Sequence, residues 1–417
     1  MRFPSHGLWR HPDFLKLWTG QSISIFGSLL GGIALAFTAI AWLDATPLEV
    51  AVLAACQLVP GFLVGIVAGV WVDRLRRRPV LIATDLGRFL ALGTVPLAAV
   101  FDVLTIWQLF AVALIASTLE VFFNSAYRSY LPTLVSAEQL VEGNSKLSAT
   151  ASVAEVGGFG AAGWIVQAAT APGAMLIDSL SFLASALSVW RIRSPEPPPV
   201  APEHREGFFR EARAGVGVVT RDPIIRSLVV TNAIIGVASG MIGVTFLLYL
   251  NREVGFDPGV LGTIFAVGGL TGLVGAFLAG RARWFGGIGP ALALSGFVRA
   301  GGMLFMPLAG SVSAAGAACL VASQLLTDPA WAFYDVHDVS IRQAATPQRL
   351  QGRMHATVQF TDFGARLAGT VAGGLLGQTI GLRETLFAAV GLSFAAAVWL
   401  ALSPVARLRE APVAASR

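Results

Sequence analysis

The chain has 417 residues, of which 55% are hydrophobic and only 13% charged. Its mean hydropathy is +0.70, and a soluble domain carries about 25% charged residues, so composition excludes a soluble globular enzyme and points to a membrane protein. With about 20 apolar residues per crossing, the length accommodates roughly a dozen helices, and the net charge of +5 is scattered over short segments rather than gathered into a nucleic-acid-binding face.

Apolar runs predict spans at 14–43, 48–72, 80–102, 105–126, 147–169, 172–192, 224–250, 259–280, 288–309, 314–334, 354–379 and 384–404. The first is too long for a signal-peptide core and leads straight into further spans. Between the second and third lies Gly69-Val-Trp-Val-Asp73-Arg74-Leu-Arg76-Arg77-Arg78-Pro79-Val-Leu81. An aspartate and four arginines here force a short, water-facing hairpin. Arginine-rich short loops stay cytoplasmic.

The rest of the arginine distribution agrees. If the N-terminus is cytoplasmic, the outer loops hold only Arg252 and Arg383, whereas the inner segments hold most of the others. Arg88, Arg299 and Arg366 fall within spans. This asymmetry predicts both termini on the cytoplasmic side of a cell (inner or plasma) membrane. It also supplies contacts for anionic lipids. The longest hydrophilic stretch opens with Ser194-Pro-Glu-Pro-Pro-Pro-Val-Ala-Pro202. Its prolines forbid an ordinary helix and mark a linker. The expected organisation is a six-helix half at 1–192, a cytoplasmic linker at 193–222 and a second six-helix half at 223–417.

The halves repeat. Leu140, Ala149-Thr150, Glu155 and Ser194-Pro195 recur as Leu350, Ala356-Thr357, Asp362 and Ser403-Pro404, at a nearly constant offset. Two parallel six-helix repeats about a central linker characterise one large transporter fold. The hairpin at 69–81 resembles motif A of the major facilitator superfamily, with matches at Gly69, Asp73, Arg74, Arg77, Arg78 and Leu81. Arg76 replaces the usual glycine. Phe14-Leu-Lys-Leu-Trp-Thr-Gly-Gln21, Ile177-Asp178-Ser-Leu-Ser-Phe182, Ser340-Ile-Arg-Gln343 and Leu350-Gln-Gly-Arg353 look like the drug:proton antiporter-3 branch, which resembles macrolide and siderophore exporters and is often labelled transmembrane secretion effector. Two features depart from the antiporter pattern: Phe159 stands where motif C carries proline, and the fourth span lacks an arginine.

The resemblance implies an all-α fold of twelve transmembrane helices in two pseudo-symmetric halves. It also implies secondary transport by alternating access, with spans 1, 4, 7 and 10 lining the pathway. The implied function is export of an amphipathic small molecule (a drug, siderophore or secondary metabolite) by proton antiport. Movement of lysophospholipids or other lipids, and uptake by symport, are alternatives. A non-transporting sensor or scaffold is a reading of another class. Asp73 is expected to hold a gate closed by facing the N-terminus of span 11, with Arg74, Arg77 and Arg78 tying the hairpin to acids and lipid phosphates.

Ionisable residues inside a membrane are costly and default to functional hypotheses. Glu120 in span 4 matches Asp328 in span 10, and Glu155 in span 5 matches Asp362 in span 11. These four acids are the candidates for proton or substrate coupling. Asp362 and Arg366, four apart on one helical face, are placed to neutralise each other. Asp85 and Arg88 read as a local pair beside the hairpin, and Asp178 and Arg299 as structural.

Other chemistries lack their residues. The only lysines, Lys16 and Lys146, follow leucine and serine rather than the glycine of an ATP-binding loop. No histidine pairs with another histidine or a cysteine at metal spacing. The expectation is no enzyme activity, no cofactor and no metal. The partners are membrane lipids, protons and a small amphipathic substrate, with no nucleic acid, and the chain is expected to act as a monomer. The topology is directly testable. In intact cells, a Glu203→Cys variant should resist an impermeant external thiol reagent and react only after permeabilisation. Ready external labelling would place the linker on the opposite side.

Overall fold

In hydrocarbon, a spanning segment must satisfy its own backbone N–H and C=O groups, and an α-helix does so within one segment. The computed structural model of the chain follows this rule. It describes residues 7–196 and 208–410, apart from the side chains of 66–70, 73, 137, 208–214 and 283. Among the described residues there are fourteen α-helices and no strand.

The first six are α1 (Pro12–Phe37), α2 (Pro47–Asp73), α3 (Arg77–Val100), α4 (Ile106–Leu134), α5 (Leu140–Ala169) and α6 (Ala171–Trp190). An amphipathic α7 (Phe208–Arg221) follows. Then come α8 (Pro223–Leu248), α9 (Pro258–Ala279), α10 (Ile288–Met303), a single turn α11 (Phe305–Leu308), α12 (Ala314–Ala345), α13 (Gln351–Thr379) and α14 (Leu382–Leu402). With α10 and α11 taken as one broken span and α7 set aside, these are the twelve expected spans. Nine of the described helices are apolar and long enough to cross a membrane. The other three, α5, α12 and α13, are as long, but charges lower their hydropathy.

Three helices run past the ends expected from apolar runs. α4 continues to Leu134, α5 begins at Leu140 and α12 continues to Ala345. An apolar run stops at the edge of the hydrocarbon, whereas a helix goes on while its backbone is satisfied. Side chains fix several starts. Thr105 Oγ1 accepts from Gln108 N at 3.4 Å, Ser313 Oγ from Gly316 N at 3.1 Å, and Asp222 Oδ1 from Ile224 N and Ile225 N at 2.8 and 3.0 Å, the usual economy of a helix N-cap.

The chain divides into two compact units. One holds residues 1–45, 56–203 and 257–263; the other holds 46–55, 204–256 and 264–417. The first turns of α2 and α9 belong to the other unit from the rest of those helices. Glycine explains both exchanges. Within the first unit, α9 lies so close to α5 that a Cβ on Gly163 would come within 2.8 Å of the Gly262 Cα. Within the second unit, Gly374 of α13 leaves room for Pro47 and Ala51 of α2.

In the first unit α6 packs against α1 through a stripe of small residues. Gly20, Gly27 and Gly31 of α1 face Ser185 and Ser188, Ser181, and Asp178 of α6 respectively. In the second unit the close pair is α8 and α13. Gly236 lies against the Ala365 methyl and the backbone of Asp362 and Arg366, Gly240 against the backbone of 366–370, and Gly369 and Gly373 against Val237 and Met241. Spacing of four lets helix backbones approach in lipid, where packing replaces the hydrophobic effect as the driving force. α7 belongs to the second unit: its Gly215 abuts Arg353 and Thr357 of α13, and its Val219 is buried with Met354 and Val358.

After each sixth helix the chain folds back onto the start of the third. In the first unit, Asp13 accepts from Ser194 N at 2.9 Å and from Ser194 Oγ at 2.6 Å. Glu196 then accepts from the backbone N–H groups of Arg77 and Arg78, the latter at 3.2 Å. Arg78 completes the clasp by donating to Trp190 O at 2.5 Å at the end of α6. In the second unit, Gly289 N donates to Leu408 O at 2.8 Å and Ile288 N to Arg409 O at 3.3 Å. The repeated Ser194-Pro195 and Ser403-Pro404 thus begin equivalent straps. Of the expected linker, 193–196 binds the first unit and 208–222 the second; 197–207 lie outside the described residues.

The glycine contact on α5 makes a test. Gly163→Leu should lower thermal stability in detergent by about 1–3 kcal/mol, the usual cost of overpacking. Gly157→Leu on the same helix, where nothing lies within 4 Å of an added Cβ, should leave it unchanged. Equal melting of both variants would remove the close approach as the cause.

Candidate functional site

The motif-like hairpin is a tight turn. Arg74 N donates to Trp71 O at 3.1 Å and Leu75 N to Val72 O at 3.0 Å, closing α2. Arg76, in the glycine position, is extended at φ −68° and ψ 127° and gives no side-chain cap to α3. Glu196 supplies that cap instead, and no feature of the hairpin sequence signalled it. Arg74 is exposed, and Arg77 and Arg78 are half-buried. The environments of Gly69 and the Asp73 carboxylate lie outside the described residues.

A buried charge cluster lies in the first unit. Arg88 on α3 and Asp85, one turn before it, form an ion pair of 2.5 Å with both side chains buried. The Arg88 guanidinium sits 4.5 Å from the Phe123 ring of α4 and 4.1 Å from the Phe182 ring of α6. Two aromatic faces on one cation fix it in place and replace part of its lost hydration. Glu120 on α4 and Asp178 on α6 also act on its charge. Glu120 is exposed. Asp178 is 4% exposed, accepts from Ser181 Oγ at 3.4 Å and is roofed by Gly27 and Gly31 of α1. Asp85 and Arg88 are therefore a pair as expected, but they belong to a four-residue cluster. Glu120 lies on the neighbouring helix, near enough to act on the Arg88 charge.

The second unit repeats this element. Arg299 on α10 is buried, and its guanidinium lies 5.1 Å from the Trp331 ring of α12. Asp328, three residues before Trp331, acts on it as Glu120 acts on Arg88. Each acid is the fifteenth residue of its helix, and each is followed three residues later by the ring that meets the arginine. Asp328 is half-buried and backed by Gly268 of α9. Arg299 also donates to Ser239 Oγ of α8 at 3.4 Å, and Arg366 of α13 lies close enough to act on it.

The other acids differ. Asp362 and Arg366 form the expected pair one turn apart, at 3.4 Å and with both side chains partly exposed. Glu155 is exposed on α5. Its match with Asp362 does not hold in three dimensions. Glu155 is the sixteenth residue of α5 and Asp362 the twelfth of α13, one helical turn apart. The cause is the longer α12, with 32 residues against 29 in α4, which shifts the numbering of everything after it. A further buried pair, Asp338 and Arg342 at 2.5 Å, sits in the part of α12 beyond the expected span. Asn232 Nδ2 donates to Asp338 at 3.1 Å, and Tyr334 OH donates to Asn232 Oδ1 at 2.8 Å. The i, i+4 spacing of Asp338 and Arg342 was its one sequence signal.

The family model described as transmembrane secretion effector matches residues 5–417. The chain belongs to that family. Its relatives are distant. The MFS-type transporter YfiS of Bacillus subtilis (strain 168) is 21% identical over 373 residues, 88% of this chain and 87% of YfiS. Macrolide efflux protein A of Streptococcus pyogenes is 25% identical over 213 residues, 50% of this chain and 51% of that protein. Among solved structures, a bacterial homologue of the iron transporter ferroportin in its inward-facing state aligns with a TM-score of 0.75 at 19% identity, covering 95% of this chain and 98% of that one. The nucleoside transporter NupG aligns with a TM-score of 0.71 at 14% identity, covering 94% and 98%. These likenesses establish the major facilitator fold. With the family, they make the chain a multi-pass membrane transporter and not an enzyme.

The buried ion pair gives this transporter a stability test. Arg88→Gln leaves the Asp85 carboxylate buried without its cation, which costs about 3–5 kcal/mol. The melting midpoint of the purified protein should fall sharply. Adding Asp85→Asn should restore most of the loss, because the uncompensated charge is gone. A double variant no more stable than the single one would show that the pair does not hold α3 in place.

Proposed function

We propose that this major facilitator transporter exports an amphipathic small molecule in exchange for protons, with Glu120 carrying the exchanged proton. One observation carries the reading, the unequal charge of the two arginine clusters. Arg88 faces three carboxyl groups, those of Asp85, Asp178 and Glu120. Arg299 and Arg366 face two, those of Asp328 and Asp362. The second set is neutral as it stands. The first is neutral only when carboxyls hold protons, and uncompensated charge in a membrane is expensive. Asp85 is bound to Arg88 and Asp178 is sealed under α1. Glu120 is the exposed member and the one water or substrate can reach. Proton binding at Glu120 therefore removes one of the negative charges that act on Arg88.

Export of an amphipathic compound draws support from the half-length similarity to a macrolide efflux protein. In this reading the protein sits in the cell membrane as a monomer. Both termini are cytoplasmic, and the halves 1–192 and 223–417 alternate access about the 193–222 linker. Glu155, Asp328 and the Asp362–Arg366 pair are the secondary candidates for coupling or substrate contact. Gly69, Asp73, Arg74, Arg77 and Arg78 act as the gating hairpin.

Glu120→Gln keeps the shape of a protonated glutamate. In proteoliposomes it should abolish pH-gradient-driven export of macrolide, siderophore or lysolipid probes while sparing their binding, and binding should lose its pH dependence. Glu155→Gln serves as the comparison. Wild-type export with unchanged pH dependence in the Glu120→Gln protein would transfer the role to Glu155, Asp328 or Asp362. Silence of all four neutral substitutions would reject proton antiport.

A further inference from the structure

A cavity of about 750 Å³ opens on the first unit where α3 begins and α6 ends. Its lining joins two chemistries: the arginines Arg76, Arg78 and Arg193, and the apolar Ile82, Leu86 and Trp190. Among the described residues that line it, three guanidinium groups meet a single carboxylate, that of Glu196, which is already engaged by the backbone N–H groups of Arg77 and Arg78. Arg78 is held by the carbonyls of Val189 and Trp190, which leave its charge uncancelled. Arg76 and Arg193 are exposed. The cavity is therefore strongly cationic at its mouth.

The apolar part of the lining has a direction. Ile82 and Leu86 stand six and ten residues after Arg76, so they lie roughly 9–15 Å further along α3 at the helical rise per residue. Leu86 and Trp190 are 39% and 64% exposed. The hairpin end of this cavity thus meets the membrane surface, and its far end faces hydrocarbon. A small free anion would satisfy the arginines but would not engage the apolar wall. A zwitterionic lipid would bring a second cation to an already cationic mouth.

We infer that this cavity binds an anionic phospholipid, with the headgroup phosphodiester on Arg76 and Arg193 and an acyl chain along Ile82, Leu86 and Trp190. Basic pockets between transmembrane helices at the membrane surface recognise such headgroups through charge. The lipid rests against Ser194 and Glu196, the strap that joins the end of α6 to the start of α3. It fills a lipid-facing site separate from the arginine clusters, and binding there requires no transport step.

Native mass spectrometry of the purified full-length protein after delipidation tests the site, with phosphatidylglycerol and phosphatidylcholine as probes. Wild type should retain phosphatidylglycerol in preference to phosphatidylcholine. The Arg76→Gln/Arg193→Gln variant should lose retention by about thirtyfold, given about 1 kcal/mol per arginine at a membrane surface. Arg349→Gln/Arg407→Gln, which removes two exposed arginines elsewhere, should not. Equal retention by the two double variants overturns the proposal, as does equal binding of the two lipids. Displacement of the lipid by inorganic phosphate at matched concentration would make this a free-anion site and also overturn it. A readout on proteins with intact arginines guards against misfolding of the variants. Phosphatidylglycerol with brominated acyl chains should quench wild-type tryptophan fluorescence, and Trp190→Phe should lose that part of the quenching. Unchanged quenching in Trp190→Phe refutes the acyl-chain placement.

Discussion

A guanidinium buried in a membrane helix bundle dictates much of what surrounds it. Arg88 is effectively always charged, so its neighbours must supply what water would. One carboxylate lies a turn away, aromatic rings stand on two other helices, and two more acids lie within reach. Three helices, α3, α4 and α6, converge on that one side chain. α1 joins them by presenting glycine where Asp178 needs space. Stability and chemistry are therefore concentrated in the same group of residues. Changes to the acids alter the environment of the cation, and changes to the cation strand the acids.

The same economy recurs in the second unit with different residues. Arg299 meets tryptophan in place of phenylalanine and aspartate in place of glutamate. Backbone features repeat more faithfully than side chains. α1 and α8 both end in a π turn, at Thr38–Trp42 and Tyr249–Val254. Left-handed backbone follows at Asp44 and Gly255, and again at Thr170 and Gly381 between the fifth and sixth helices of each half. A non-glycine residue there is uncommon. Thr170 has its hydroxyl bound to Gly173 N at 3.3 Å. The two halves therefore match more closely in their turns than in the residues that occupy them.

Much of this was legible in the sequence, because apolar runs and local spacing are one-dimensional signals. The twelve spans follow from hydropathy. The Asp85–Arg88 and Asp362–Arg366 pairs follow from positions three and four apart. What stayed hidden depends on the meeting of distant segments. Nothing in the neighbourhood of Glu120 announces Arg88, 32 positions earlier on another helix. Asp178 read only as structural, because its place beside Arg88 depends on burial under the glycines of α1. Glu196 stood inside a proline-rich stretch that reads as linker, yet it caps α3. The extended end of α12, with Asp338 and Arg342, was missed because polar helix beyond the hydrocarbon leaves no apolar signature.

The two straps have unequal exposure to mutation. In the second unit the third helix is capped by the main-chain carbonyls of Leu408 and Arg409. A backbone acceptor survives almost any substitution, so that clasp asks nothing of the side chains of Leu408 and Arg409 and constrains instead Gly287 and Gly289, where a Cβ would strike the strap. In the first unit the same office is held by the Glu196 side chain, and one codon change can abolish it. One clasp therefore depends on the identity of an acidic side chain, and the other on the absence of side chains at two glycines.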